Sequence, residues 1–568
     1  MIRKNWIEPP NLAVDDIARL VDALSVSPAV ARVLAARGYG DVDAASRFLN
    51  PDLSQLASPC ALLGADRAIE RLLACVREKR KVLVFGDFDV DGVTGTSLAV
   101  RVLGRLGADV DYLLPKRLVH GYGLSRKVLP DVAARSPALV LTVDCAIKSV
   151  DEVAELRRMG IDTIITDHHE PGSTLPPAHA IVNPRQAGCA YPDKNLAGVG
   201  VVWQLLRGVV ARLEHEIDLS RYLDLVALGT VADVVPLVGE NRVLVAEGLR
   251  AINQHGRVGM MALVMASGVE GRVESWHLAY LLGPRVNAAG RLDDAGDAVR
   301  MFVSHDTAEA NRLAKKLDET NLERQEVSER TLQEALEAIK RGRAGEDPDG
   351  IVLAYDRWHP GVIGIASARV VERFYRPCAL IAMDGDVGRG SIRSIRGVDV
   401  CDVLDECEDL LVQYGGHAMA AGFTIERAKI AAFRERFGAA VTKRLTDDIA
   451  SPWLRLDGEA CPAEIDLPLA EDLERLAPFG YGNGRPTFVL RGVTSASRPK
   501  VVGRGHLKLA VRRGGNGDLD CIGFELGPRV EKGFPEGRVD LAGSVAVNEW
   551  NGRRTAQFQI VDFREALT

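Results

Sequence analysis

The sequence contains no C-x-x-C pair, and its nine cysteines (60, 75, 145, 189, 378, 401, 407, 461 and 521) are odd in number and scattered. Neither a disulfide framework nor a thiolate zinc site is therefore expected. Such usage suits a reducing cytoplasm. The opening MIRKNWIEPP lacks an apolar h-region, so no secretory leader is expected. No uninterrupted apolar stretch approaches the ~20 residues that span a bilayer, which argues against membrane insertion. Internal repeats and low-complexity tracts are also absent. An excess of positive charge is missing as well: the net charge is −7, which in bulk opposes binding to polyanions. Cations held by clustered carboxylates would offset that charge locally.

What is present is the composition of a soluble globular chain, with 568 residues, 47% hydrophobic and 26% charged. That length is too great for one core and suggests three or four domains. Residues 1–75 read as mostly helical: Val14, Ile17, Val21 and Leu24 recur at helical spacing, and Ser27-Pro28 reads as a cap and first helical residue. From about 80 to 170, apolar runs at Val82–Phe85, Ala138–Val143 and Thr163–Thr166 alternate with helical stretches. Buried parallel strands with crossover helices account for that alternation. Helices dominate 197–340. The segment Glu309–Arg341, charged and free of Gly and Pro, reads as an exposed connecting helix, and the loop Arg341–Gly350 reads as a domain boundary. A second α/β unit covers 351–449. Beyond Ser451, short strands at His506–Val511, Asp520–Phe524, Asp540–Val547 and Thr555–Val561 predict a small all-β barrel. Asn551-Gly552 gives the last hairpin a type I′ turn.

Chemistry concentrates at the ends of the predicted strands. Val82–Phe85 runs into Gly86-Asp87-Phe88-Asp89-Val90-Asp91-Gly92, placing carboxylates at alternate positions. Ala138–Val143 ends in Asp144, Thr163–Thr166 ends in Asp167-His168-His169, and GTVADVVP with Asp233 comes just after an apolar helix. In open parallel sheets ligands gather outside the carboxyl ends of strands, so these groups should converge. Unneutralised, such acids repel one another and destabilise the fold. The set is rich in oxygen, limited in nitrogen and free of sulfur, which suits Mn²⁺ or Mg²⁺ better than structural zinc. Two cations ~3.5–4 Å apart with a shared carboxylate form a clamp for phosphoryl chemistry. Taken singly, Asp144 or Asp233 could be a cap or turn residue, and the paired histidines could be packing residues. A calcium loop needs a glutamate where Leu98 stands. Recurrence at four successive element ends favours function over coincidence.

GDFDVDG, TVDCAI, TDHHE and GTVADVVPL resemble, in order, the four motifs of the DHH phosphoesterase superfamily, and within it the RecJ single-strand-specific exonucleases. The similarity extends through PKRLVHGYGL (115–124), LGPRVNAAGRL (282–292), WHPGVIGIASARV (358–370), GRGSIRS (388–394), GGHAMAAGF (415–423) and LAPFGYGNGRPTF (476–488). Two positions depart from the family pattern. Ala146 stands where a glycine is usual, and His120 stands where an acid is common.

The resemblance implies an α/β fold: an N-terminal helical region (1–75), a parallel-sheet DHH catalytic domain (76–308), a long connecting helix (309–345), a DHH-associated α/β domain (346–449) and a C-terminal all-β OB-fold (452–568). It implies that Asp89 and Asp144 hold one metal ion, and that Asp91, Asp144, His168 and Asp233 hold the other. Asp87 would be a further ligand or an acid orienting the nucleophile, and His169 would contact the scissile phosphate or aid the leaving oxygen. Arg117, Arg291, Ser391 and Arg393 are implied as binders of the 5′-terminal phosphate, the guanidinium groups being suited to bidentate contact. Gly415, Gly416 and His417 would admit backbone N–H groups close to phosphates. In the OB-fold, Tyr481, Phe524, Trp550, Arg553 and Arg554 are candidates for the single strand, although aromatics of this kind are more often core.

The implied activity is 5′-to-3′ hydrolysis of single-stranded DNA to mononucleotides in recombination and repair. A cytoplasmic monomer working beside a helicase and single-strand-binding protein is expected. Two other readings stay open at this point: a DHH enzyme for pyrophosphate, cyclic dinucleotides or short oligonucleotides, and a catalytically silent DNA-binding scaffold.

Overall fold

The computed structural model describes residues 4–9, 11–121, 123–213, 217–342, 349–513, 517–531 and 533–566, without the side chains of residues 117 and 118. The chain forms two compact units. One comprises residues 43–322 with 476–485, and the other 1–42, 323–475 and 486–568.

The first unit is built on five parallel strands in the spatial order Val110–Leu113, Val82–Gly86, Leu139–Val143, Asp162–Thr166 and Ala180–Val182. Numbered along the chain, this order is 2-1-3-4-5, a doubly wound sheet whose connections reverse between the first and third strands. Val82–Gly86 and Leu139–Val143 are buried throughout, which explains their unbroken apolar character. Helices Ala65–Glu78, Val90–Arg105, Gly198–Ala211 and Leu223–Ala232 pack a core of Leu, Val and Ile around the sheet. The short strand Ala180–Val182 escapes sequence reading, because three residues carry too little periodicity.

In the second unit a five-stranded sheet runs Leu411–His417, Ala420–Glu426, Val387–Arg393, Cys378–Asp384, Ile351–Tyr355, antiparallel except for the last pair. Phe423, Phe433 and Phe437 fill its core. A further sheet joins seven strands, mostly antiparallel. Five of them close into the expected barrel, since Ser495 bridges back to Val511 and Ala496 N–H donates to the Ala510 carbonyl at 2.7 Å. Asn551 (φ 50°) and Gly552 (φ 74°) are both left-handed, as a type I′ turn requires.

Two elements differ in part from what the sequence predicts. Besides its helices the N-terminal region carries one strand, Asn5–Ile7, paired in parallel with Trp453–Arg455, a partner too remote to leave any local pattern. The connecting helix, Thr307–Lys340, is not simply exposed. Ala310, Leu313, Ala314 and Leu317 are buried near its start, and Leu332, Ala335 and Leu336 near its end. Most of the loop Arg341–Gly350 lies outside the described residues. Among the described residues no helix is long and apolar enough to cross a membrane.

Candidate active site

The carboxyl ends of three neighbouring strands carry the site. Asp87, Asp144 and Asp167 each follow a strand and extend its ladder by one bond: their N–H groups donate to the carbonyls of Val143 (3.3 Å), Thr166 (2.9 Å) and Val182 (3.2 Å). Asp87 and Asp144 therefore flank the point where the sheet reverses its winding, where a ligand crevice opens. Asp89 is the N-cap of helix Val90–Arg105, accepting from Gly92 N–H at 3.0 Å, and an acid can cap a helix and still offer a ligand oxygen. Asp91, in the first turn, is buried and accepts from Gly198 N–H (2.6 Å) and Val199 N–H (2.8 Å), the unsatisfied donors that open helix Gly198–Ala211. Asp233 closes helix Leu223–Ala232. Asp144 takes a left-handed conformation, φ 61°, a strained geometry of the kind concentrated at working sites.

These side chains meet. His168 Nε2 lies 3.1 Å from Asp144 Oδ1, 3.5 Å from Asp233 Oδ2 and 3.9 Å from Asp91 Oδ2. Among the described residues three donor groups form, each with its ligand atoms within 4.8 Å of one another: Asp87–Asp89–Asp144, Asp91–His168–Asp233 and Asp144–His168–His169. Asp144 belongs to two of them. Asp87 joins the group with Asp89, which supports the ligand alternative for that residue.

Burial pushes Asp91 up to about 7, with the neighbouring Asp89 charge adding to it. Burial, then Asp91 and Asp89, raise Asp144 and Asp233 well above the usual carboxylate range. Burial, with His169 alongside, lowers His168 to about 3. Its close approaches to carboxylates are thus contacts of a neutral imidazole with a free lone pair, the form that ligates metals. Asp144 Oδ1, Asp233 Oδ2 and His168 Nε2 are all buried without a hydrogen-bond partner. Buried polar atoms left unsatisfied are costly, and divalent cations satisfy them. The donor set fits Mn²⁺ or Mg²⁺.

Asp167 is visible in TDHHE, yet residue type and spacing alone assign it no task. It is buried, accepts from Ile147, His168 and His169 N–H, and lies 2.7 Å from His169 Nδ1. Burial opposes protonation of His169, but the Asp167 contact outweighs it and raises His169. The pair fixes the ring so that Nε2 is the outward atom. Gly198 also escapes sequence reading: a Cβ there would lie 2.6 Å from Asp144 Cβ. Only a three-dimensional contact makes that glycine necessary.

Of the predicted phosphate contacts, Arg291 sits in the last turn of helix Gly283–Leu292. The same helix holds the Asp87–Asp91 loop, with Asn287 Oδ1 accepting from Val90 N–H at 3.2 Å. In the other unit Ser391 and Arg393 are alternate residues of one strand, joined by an Nη1 to Oγ bond of 3.2 Å. Across the sheet, Ser391 is level with Gly422 and Gly415, and Arg393 with Ala420 and His417. Gly415, Gly422 and Ala420 leave little side chain on this face beside the arginine. Gly416 serves differently, since a Cβ there would meet the Ala420 carbonyl at 2.4 Å. The side chain of Arg117 lies outside the described residues. His120 is turned inward near Asp131, its Nδ1 accepting from Lys116 N–H at 3.1 Å, and Ala146 holds φ 80°, the backbone that glycine normally serves.

The aromatic candidates are not core residues: Tyr481, Phe524 and Trp550 are 63%, 54% and 73% exposed. Trp550 and Arg553 flank the hairpin turn, and Arg554 pairs with Glu471 at 2.9 Å. Tyr481 belongs to the first unit rather than to the barrel.

A doubly wound sheet with this acid cluster at its switch point defines a metal-dependent phosphoesterase. The profile of the DHH family, N-terminal domain, matches residues 81–230; the DHHA1 domain matches 347–443 and the RecJ OB domain 456–562. The single-stranded-DNA-specific exonuclease RecJ of Escherichia coli K12 is 37% identical, with 98% of this chain and 99% of that protein covered. The crystal structure of RecJ from Thermus thermophilus in complex with Mn²⁺ superposes with a TM-score of 0.86 at 33% identity, covering 100% of this chain and 80% of that one. The Mg²⁺ complex of the same protein gives 0.80 at 31%, covering 100% and 79%. The chain belongs to the RecJ family of single-stranded-DNA-specific exonucleases.

Proposed function

We infer that this chain is a metal-dependent exonuclease that degrades single-stranded DNA in recombination and repair. The observation that carries the reading is the position of Asp144, whose carboxylate is shared between the Asp87–Asp89 group and the His168–His169 group. Asp89 and Asp144, with Asp87, would hold one divalent cation; Asp91, Asp144, His168 and Asp233 would hold the other. Bound there, the cations supply Lewis acidity and a water of lowered pKa. His169, steadied by Asp167, meets the scissile phosphate through Nε2 and holds the proton needed by the leaving oxygen. Arg117, Arg291, Ser391, Arg393 and the Gly415-Gly416-His417 backbone grip phosphates. The expected products are 5′-mononucleotides released in the 5′-to-3′ direction. Catalysis is assigned to 76–308, with 309–345 as connector, 346–449 as an accessory domain and 452–568 as the single-strand grip. We place the enzyme in the cytoplasm as a monomer working with a helicase and single-strand-binding protein.

Digestion of end-labelled strands, with and without a 5′ phosphate and chelator, tests this reading. Long single strands should be shortened only with Mn²⁺ or Mg²⁺, duplexes should resist, and Asp144→Ala should fold but lose activity. Preferential cleavage of dinucleotides would replace the reading with that of a small-substrate phosphodiesterase, and an inert protein that binds DNA would make it a scaffold.

A further inference from the structure

We propose that the segment Leu476–Arg485 is a positioning element for Asp233, holding the loop that carries this residue in the place where its carboxylate can reach a cation. The proposal rests on the reading of Asp233 as a metal ligand.

Asp233 ends its helix, and the next residue, Val234, has φ 61° and is 62% exposed. A β-branched residue in the left-handed region is a genuine outlier. It persists only where the surroundings dictate it. The helix fixes the chain before Asp233, but Val234 is too exposed for its own packing to impose this turn. The residues beyond it are held. Leu237 N–H donates to the Tyr481 carbonyl at 2.7 Å, the Leu237 side chain lies against Gly480, and Pro236 lies against Gly482.

The holding segment is rigid in its own right. The Arg242 guanidinium, 2% exposed, donates to the carbonyls of Leu476 (3.0 Å), Ala477 (2.7 Å) and Pro478 (3.4 Å), and also to that of Phe48 (2.8 Å). Asn483, 1% exposed, gives its amide to the carbonyls of Leu476 and Pro478, both at 2.9 Å. Gly480 and Asn483 exchange backbone bonds, and Ser275 Oγ donates to the Phe479 carbonyl at 2.6 Å. Seven of the ten carbonyls of the segment are used in these bonds. Although it falls within the range matched by the RecJ OB domain, it packs in the unit that contains the acid cluster. Metal ligands tolerate displacement of only a few tenths of an ångström, so a rigid brace on this loop bears on Asp233 more than on general stability.

The glycines supply the test. A methyl at Gly482 would sit 2.8 Å from Pro236 Cβ and 3.0 Å from its Cα, whereas a methyl at Gly484 meets nothing within 4 Å. In the full-length protein, Mn²⁺ titration calorimetry of Gly482→Ala should show one of two binding events weakened about tenfold. The kcat on single-stranded DNA should fall with it, while KM and the Kd for DNA in EDTA stay within twofold. Arg242→Lys, which loosens the segment without touching the loop, should act in the same direction if Gly482→Ala fails to fold. Gly484→Ala should match the parent. Asp233→Asn should abolish the same Mn²⁺ event. Unchanged Mn²⁺ affinity in folded Gly482→Ala and Arg242→Lys, with Asp233→Asn still defective, overturns the bracing role alone. Two intact Mn²⁺ events in Asp233→Asn overturn the ligand reading and this proposal with it.

Discussion

Gly198→Ala adds one methyl group at the junction of the site. The new carbon would stand 2.6 Å from Asp144 Cβ and 3.0 Å from its Cγ, about 1 Å short of an ordinary carbon contact. Either the helix Gly198–Ala211 retreats, stretching the 2.6 Å bond from Gly198 N–H to Asp91, or Asp144 is displaced. Overpacking of this kind costs about 1–3 kcal/mol. Gly198 is the first residue of its helix, where the advantage of alanine in helix interiors does not apply, so stability should fall by about 1–3 kcal/mol. Catalysis should fall on the order of 100-fold, as a misplacement of about 1 Å does. Thermal melting, Mn²⁺ titration and release of nucleotides from a labelled strand read the three quantities separately. A variant that keeps kcat within about threefold of the parent would refute the claim that Asp144 and Gly198 must touch.

Other perturbations separate the remaining roles. Asp167→Asn should leave Mn²⁺ affinity close to the parent value but lower kcat about 10–100-fold, as loss of an orienting partner does; normal kcat would remove His169's dependence on it. Arg393→Ala should raise KM for 5′-phosphorylated strands about 10–100-fold, the worth of a charge-assisted bond, with metal affinity unmoved in calorimetry. Chelation should make stability strongly dependent on pH. Folding raises Asp91, Asp144 and Asp233 above their unfolded values, so the metal-free fold carries their full penalty above the folded values and loses it as pH falls towards the unfolded ones. Melting curves should show metal-free protein gaining stability from pH 8 to pH 5, and Mn²⁺ raising the melting temperature more at pH 8.

The acid cluster was legible because each member sits at the end of an element with its own periodic signature. Val82–Gly86, Leu139–Val143 and Asp162–Thr166 announce buried parallel strands, and the Asp and His residues that come after them can only emerge at the same edge. What could not be read depends on contacts between distant stretches. Nothing in AGVG says that Gly198 makes room for Asp144, and nothing in Asn5–Ile7 says that its strand partner begins at Trp453. Exposure of Trp550 and Phe524 contradicts the statistical preference of aromatics for cores, since the barrel interior is already filled by Leu507, Leu509, Leu541 and Phe558. Ala146 shows the converse: the sequence pattern calls for glycine there, and the φ of 80° gives the reason.

The chain order of the first unit has a consequence for its birth. A polypeptide leaves the ribosome at about 5–20 residues per second, and Tyr481 and Gly482 are made roughly 250 residues after Asp233. For roughly 10–50 seconds the newly made Pro236 and Leu237 lack the stretch that packs on them in the finished protein. Strand order and helices are complete by then, so this last insertion, rather than the sheet, sets when the nascent unit attains its final form.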